Sequence, residues 1–190
     1  MSATASPSRG RILDAALDLM SEKGVAGASM RSLAGACELN VATLYHHFPS
    51  KADVFRAVIE ERGFAERFRT EGPPTLPGGS PAERLRQLIG WLWREATQEE
   101  MVWRLLIGES LRGEPIARET SVDLVAMLEQ ASERSLVATI PELADRSPAV
   151  ARAIVGLMFA LIVEHLALGP DEDRAQQRID DLVDLLVYTG

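Results

Sequence analysis

Ser29-Met30-Arg31-Ser32-Leu33-Ala34-Gly35-Ala36-Cys37-Glu38-Leu39-Asn40-Val41-Ala42-Thr43-Leu44-Tyr45-His46-His47-Phe48-Pro49-Ser50-Lys51 is the stretch that decides the fold. Ser29 has the side chain of an N-cap. Met30, Leu33, Ala34 and Cys37 follow it at helical spacing and make one apolar face. Asn40 can cap a second short helix, with Leu44 and Phe48 at i and i+4 on its inner side. Pro49 ends that helix. Ser50-Lys51-Ala52-Asp53 then reads as a capping box with Asp in place of the usual Glu or Gln. Two short helices around a tight turn make a helix-turn-helix, whose second helix enters the DNA major groove.

The same stretch resembles the DNA-binding signature of the tetracycline-repressor (TetR) family. The matching residues are Ser29, Leu33, Ala34, Leu39, Thr43-Leu44-Tyr45-His46-His47-Phe48 and Ser50-Lys51. The resemblance covers about residues 8 to 56. Beyond that, agreement is in helix pattern and length alone. Two positions depart from the family's habit. Glu38 stands in the turn where Gly is usual, and Val41-Ala42 replace a frequent Lys-Gly pair. A left-handed backbone at Glu38 would cost about 1 kcal/mol relative to Gly.

The resemblance implies an all-α protein of about nine helices. A three-helix head over residues 1–50 would carry the DNA contacts, with residues 1–8 as an arm. A larger body over residues 51–190 would bind ligand and dimerise. DNA contacts are expected from Ser29, Arg31, Asn40, Val41, Ala42, Thr43, Tyr45, His46 and Lys51. Thr43 can reach a base edge or a phosphate, and Tyr45 and His46 can reach phosphates. The plainer alternative is that Tyr45 packs and the histidines are solvated.

Composition agrees with a helical globular chain. Of 190 residues, 46% are apolar, enough for a filled interior, and strand-like alternation is absent from the sequence. A single cysteine forbids an intrachain disulfide and fits a reducing compartment. The longest apolar run, Ala153 to Val163, falls short of the roughly 20 residues a membrane span needs. The expectation is a cytoplasmic protein without a membrane segment. Net charge is −8, which alone disfavours nucleic acid. The first 51 residues nevertheless hold a slight excess of bases, and the rest is strongly acidic.

In chain order, a first helix is expected from about Ser8 to Lys23, stopped by Gly24. A fourth helix should run from Ser50 to about Arg69, spanning about 28 Å and linking head to body. Gly72-Pro73-Pro74-Thr75-Leu76-Pro77-Gly78-Gly79 is the clearest break. Ser80-Pro81-Ala82-Glu83 opens a fifth helix with an N-cap, Pro at N1 and Glu at N3. A sixth helix, about Glu99 to Arg112, is apolar nearly all round except for Glu109. A carboxylate there needs a partner or a proton, and Arg104 and Arg112 are at hand.

A seventh helix covers about Glu114 to Ala138. The eighth, Ser147 to Gly169, has a bulky side and a side of small residues. The ninth, Glu172 to Tyr188, is amphipathic. The resemblance implies that the last two helices make a homodimer. Ala153, Gly156, Ala160, Ile179, Leu182, Val183 and Leu186 would form the interface.

A small-molecule effector would lie among the body helices, lined by Trp93, Met101, Trp103, Glu109, Met127, Met158, Phe159 and His165. Ordinary core packing is the competing reading for each of these. No cofactor is expected. His46 and His47 point about 100° apart on a helix and have no ligand at metal spacing. Phosphate loops, nucleophile elbows and catalytic acid–base sets are absent from the sequence, so an enzyme is not expected. The reading is a ligand-responsive regulator, most simply a repressor released from a palindromic operator. The alternative is a ligand- or partner-binding helical module with a weakened DNA head.

Overall fold

The computed structural model describes residues 9–63, 76 and 78–188. Among them are nine α-helices and a short 3-10 helix. These are α1 (Arg9–Gly27), α2 (Met30–Ala36), α3 (Val41–His47), α4 (Lys51–Arg62), α5 (Pro81–Thr97), α6 (Glu100–Leu111), α7 (Pro115–Thr139), the 3-10 helix (Pro141–Arg146), α8 (Ser147–Leu168) and α9 (Glu172–Tyr188).

The chain divides into two compact units. One comprises residues 1–63 and 101–122, the other residues 64–100 and 123–190. In the first, α1 packs on α4, and α2 packs on α1 and α3. The interior is aliphatic and aromatic: Ile12, Leu13, Ala16, Met20, Leu33, Leu44, Phe48, Val54, Phe55, Val58 and Ile59 are all buried. From α6 the unit draws the buried Val102, Trp103, Leu105 and Leu106. In the second unit α5 packs on α8 and α9, and α8 packs on α9 and the 3-10 helix. Arg86 of α5 reaches Asp180 at 2.8 Å and Asp184 at 2.5 Å, both on α9.

Local chemistry explains the starts of these helices. Ser29, Asn40, Ser50 and Ser80 each accept a hydrogen bond from the backbone N–H three residues on, satisfying one of the free donors of a helix N-terminus. The box at Ser80 closes reciprocally, with the Glu83 carboxylate accepting from the Ser80 N–H at 2.7 Å. Those bonds from Ser80 hold the Glu83 carboxyl below its ordinary pKa.

The ends of α6 to α9 fall within one residue of expectation, and those of α1 and α4 do not. Gly24 breaks α1 with φ 71°, yet the helix resumes to Gly27. The fourth helix stops at Arg62 with Gly63 in an extended conformation, which limits it to about 18 Å. Its expected continuation to Arg69 and most of the break at 72–79 lie outside the described residues, as does the arm at 1–8. The nearly all-round apolar surface expected of α6 is not all buried. Met101 and Leu111, at its two ends, are exposed.

Helix α8 keeps its two faces. Ile154, Met158 and Leu161 are buried, whereas Gly156 and Ala160 face outward. A Cβ added at Gly156 would meet no atom within 4 Å. By length and composition the segment 141–168 would suffice to cross a membrane, which the run of apolar residues alone did not reveal. A core helix meets the same two criteria.

Candidate nucleic-acid interface

The geometry of the first unit separates a packing face from an outward face on α3. Leu44 and Phe48 turn inward with 0% and 2% exposure. Ala42, Tyr45 and His46 lie on the other side and are exposed, Tyr45 at 49%. Asn40 Oδ1 accepts from the Thr43 N–H at 2.7 Å and from the Thr43 hydroxyl at 2.9 Å. Asn40 and Thr43 are thereby committed first to building the helix start, and Val41 is half-buried beside them. Ser29 similarly closes a capping box with Ser32. Arg31, between them in the first turn of α2, is exposed and free to meet a phosphate.

Glu38 occupies the turn between α2 and α3 with φ 57°, the non-glycine residue with positive φ among those described. The turn closes through Glu38 N–H to Gly35 O at 3.1 Å and Leu39 N–H to Ala34 O at 2.8 Å. The left-handed backbone contemplated at this position is therefore present. Cys37, just before it, is buried and donates weakly to Ile12 O at 3.8 Å. Burial pushes its thiol pKa up, which keeps it protonated and unreactive.

Lys51 differs from its expected role as a free phosphate contact. Its ammonium donates to Val25 O at 2.6 Å and the side chain is half-buried, so it ties the start of α4 to the end of α1. Two of its three N–H groups remain for an outside partner. Arg9 was not visible in the sequence pattern. Its guanidinium lies 4.5 Å from the Phe48 ring centroid and bonds Glu61 at 2.6 Å. That contact joins residues 39 positions apart, so no local spacing could announce it.

The expected effector residues divide between the two units. Glu109 is 3% exposed but belongs to the first unit, where Arg112 pairs with it. The ion pair expected as the alternative for Glu109 is thus present. Met101, near the start of α6, is 47% exposed. Trp103 is buried in the first unit, and Met127 and Phe159 are half-buried. Trp93, Met158 and His165 belong to the second unit. Trp93 and His165 stack edge-to-face at 5.7 Å and line a cavity of about 10 Å³, room for one water. The Trp93 indole N–H donates to Glu172 at 3.3 Å, and His165 Nε2 is 3.5 Å from Glu100.

The expected interface residues divide as well. Ile179 and Val183 are 1% and 0% exposed, spent on packing inside the chain, and so cannot meet a partner. Gly156 and Ala160 are exposed, and Ala153, Leu182 and Leu186 are half-buried. Leu185 on α9, not singled out in the sequence, is 60% exposed.

Residues 12–58 match the family model of bacterial regulatory proteins, tetR family, the span that contains α2, α3 and their braces. Over that span the chain carries the tetR-family DNA-binding module. The transcriptional regulator UidR of Escherichia coli is 44% identical over 72 residues, a match that spans 36% of each chain. The transcriptional repressor KstR of Rhodococcus jostii is 26% identical over 182 residues, covering 96% of this chain and 84% of KstR. Among solved structures, a TetR-family regulator from Syntrophomonas wolfei superposes with a TM-score of 0.78 at 18% identity, covering 94% of both chains. The described residues are all-α, with an N-terminal helix-turn-helix head.

Proposed function

We propose that this chain is a DNA-binding transcriptional regulator acting as a homodimeric repressor, released from a palindromic operator by a small molecule. The observation that carries the reading is the outward face of α3. Ala42, Tyr45 and His46 are presented on a helix whose start is fixed by Asn40 and whose back is locked by Leu44 and Phe48. Arg31 adds a cation on α2. KstR, similar over most of its length, is named as a repressor, which supports the sign of regulation.

The dimer is supported by the outward small-residue side of α8 with the leucines of α9. Small residues allow close helix approach, and a second copy would cover the apolar surface. On this reading the segment 141–168 is apolar because it is core on one side and interface on the other, and the protein works in the cytoplasm. The effector would be bound by residues 51–190, the region expected to hold the body.

The test is selection of bound DNA from a random-sequence pool, followed by retardation across a salt series. A regulator gives an inverted-repeat site with half-sites about one helical turn, or a small multiple, apart, and affinity falling steeply with salt. Recovery of no site, or of binding indifferent to sequence, would overturn the proposal in favour of a helical module without DNA specificity.

A further inference from the structure

We infer that Glu109, on α6, is a positioning residue for the DNA-reading head, acting through the bend at Gly24. The bend spans residues 24–28, where α1 hands over to α2. Gly24 has φ 71° and ψ 163° and interrupts the helix. The Ala28 N–H then bonds Gly24 O at 3.2 Å, Ala28 is buried, and Ser29 caps α2. Any displacement at residue 24 therefore passes within five residues to α2, and through the turn at Glu38 to α3.

Two side chains from outside α1 hold this bend. From α4, Lys51 donates to the carbonyl of Val25. From α6, the Glu109 carboxylate fills the place that a side chain at residue 24 would take. A Cβ built on Gly24 would lie 3.2 Å from Glu109 Oε1 and 4.0 Å from Oε2. Glycine is required at residue 24 twice over, for its backbone and for the carboxylate beside it. Glu109 is itself constrained. It is 3% exposed, and Arg112 on the next turn donates to it through Nε at 3.1 Å and through Nη2. A buried carboxylate needs such a partner, so the pair fixes the rotamer that touches Gly24. Arg112 is 65% exposed at its side chain, which leaves the latch open to solvent on its cationic side. Glu109 is buried and anionic, so it makes no phosphate contact of its own.

The inference rests on the reading of α3 as the DNA-reading helix, but its first measurement does not. Hydrogen exchange is followed in the full chain for the wild type, Glu109→Ala, Glu109→Gln and Gly24→Ala. Glu109→Ala should speed exchange of amides 24–36 by roughly tenfold while leaving 81–97 and 147–168 unchanged. Glu109→Gln keeps the shape and loses the charge, and should lie between. Gly24→Ala attacks the same contact from the other side and should loosen the same amides. It decides the matter if Glu109→Ala does not fold.

In the second measurement, affinity of Glu109→Ala for DNA selected on the wild type should drop about tenfold with the salt slope unchanged, because no phosphate contact is lost. A purely structural role would loosen 81–97 and 147–168 together with the head. Either that pattern in both Glu109→Gln and Gly24→Ala, or unchanged exchange at 24–36 in Glu109→Ala, overturns the proposal. Should the wild type bind no DNA, the proposed function fails, and the exchange data still decide the role of Glu109.

Discussion

Glu38 places an acid on a left-handed backbone, in the one turn on which the pose of α3 depends. Glu38→Gly removes the conformational cost and should raise stability by about 1 kcal/mol in urea denaturation. It also removes an anion from the DNA side, so affinity for the selected site should rise. A variant that is less stable would mean that the Glu38 side chain supports the turn. Tyr45 and Lys51 make a contrasting pair at the same scale. Tyr45 is exposed and packs little, whereas the Lys51 ammonium holds Val25 O. Tyr45→Ala should weaken DNA binding at unchanged stability. Lys51→Ala should lose about 1.5 kcal/mol of stability as well, the low end for a hydrogen bond made by a charged group. Urea melts of the two variants side by side separate these roles.

At the scale of helices, starts were legible, and so were the ends of α6 to α9, whereas the ends of α1 and α4 were not. Ser29, Asn40, Ser50 and Ser80 act through their own side chains on the next three residues, so local sequence determines them. An end such as Arg62 depends on what the following chain packs against, and the run Val54 to Arg69 offers no stop except Gly63. The inner and outer faces of α3 and α8 were likewise legible from spacing. Which apolar face meets which neighbour was not. Ile179 and Val183 are buried against their own chain, and spacing alone cannot tell that from a partner's surface. Glu109 shows the same limit. Its need for a counter-ion was legible, but its contact with residue 24, 85 positions away, was not. The capping box of α5 gives a test of the local kind. Ser80→Ala should lower stability by about 1 kcal/mol. Because Glu83 is held below its ordinary pKa of 4.5, its share of the box is present above that pH. That share is lost as pH falls through the lower, folded-state value. The difference between wild type and Ser80→Ala, measured by thermal melts, should therefore narrow in acid.

For the whole molecule, the decisive question is whether the outward side of α8 is covered in solution. Gly156 and Ala160 face outward, Val163 and Leu185 are 48% and 60% exposed, and open space lies over Gly156. Such apolar surface is unfavourable in water unless something covers it. A second copy would bring identical small-residue faces together about a two-fold axis and set two α3 helices on one DNA site. Ala160→Arg puts a long cation on that face without touching the interior. It should yield a folded monomer by sedimentation, with the thermal signature of the head intact. Its affinity for the inverted-repeat site should fall by at least about a hundredfold, since one head must then bind alone without the gain of linked half-sites. Val183→Arg is the control, because Val183 is fully buried within the chain. An arginine there should unfold the second unit at any concentration, while the effect of Ala160→Arg should be confined to assembly. Wild-type protein that sediments as a monomer at micromolar concentration, or an Ala160→Arg variant that remains dimeric, would remove α8 from the interface and require another cover for its apolar side.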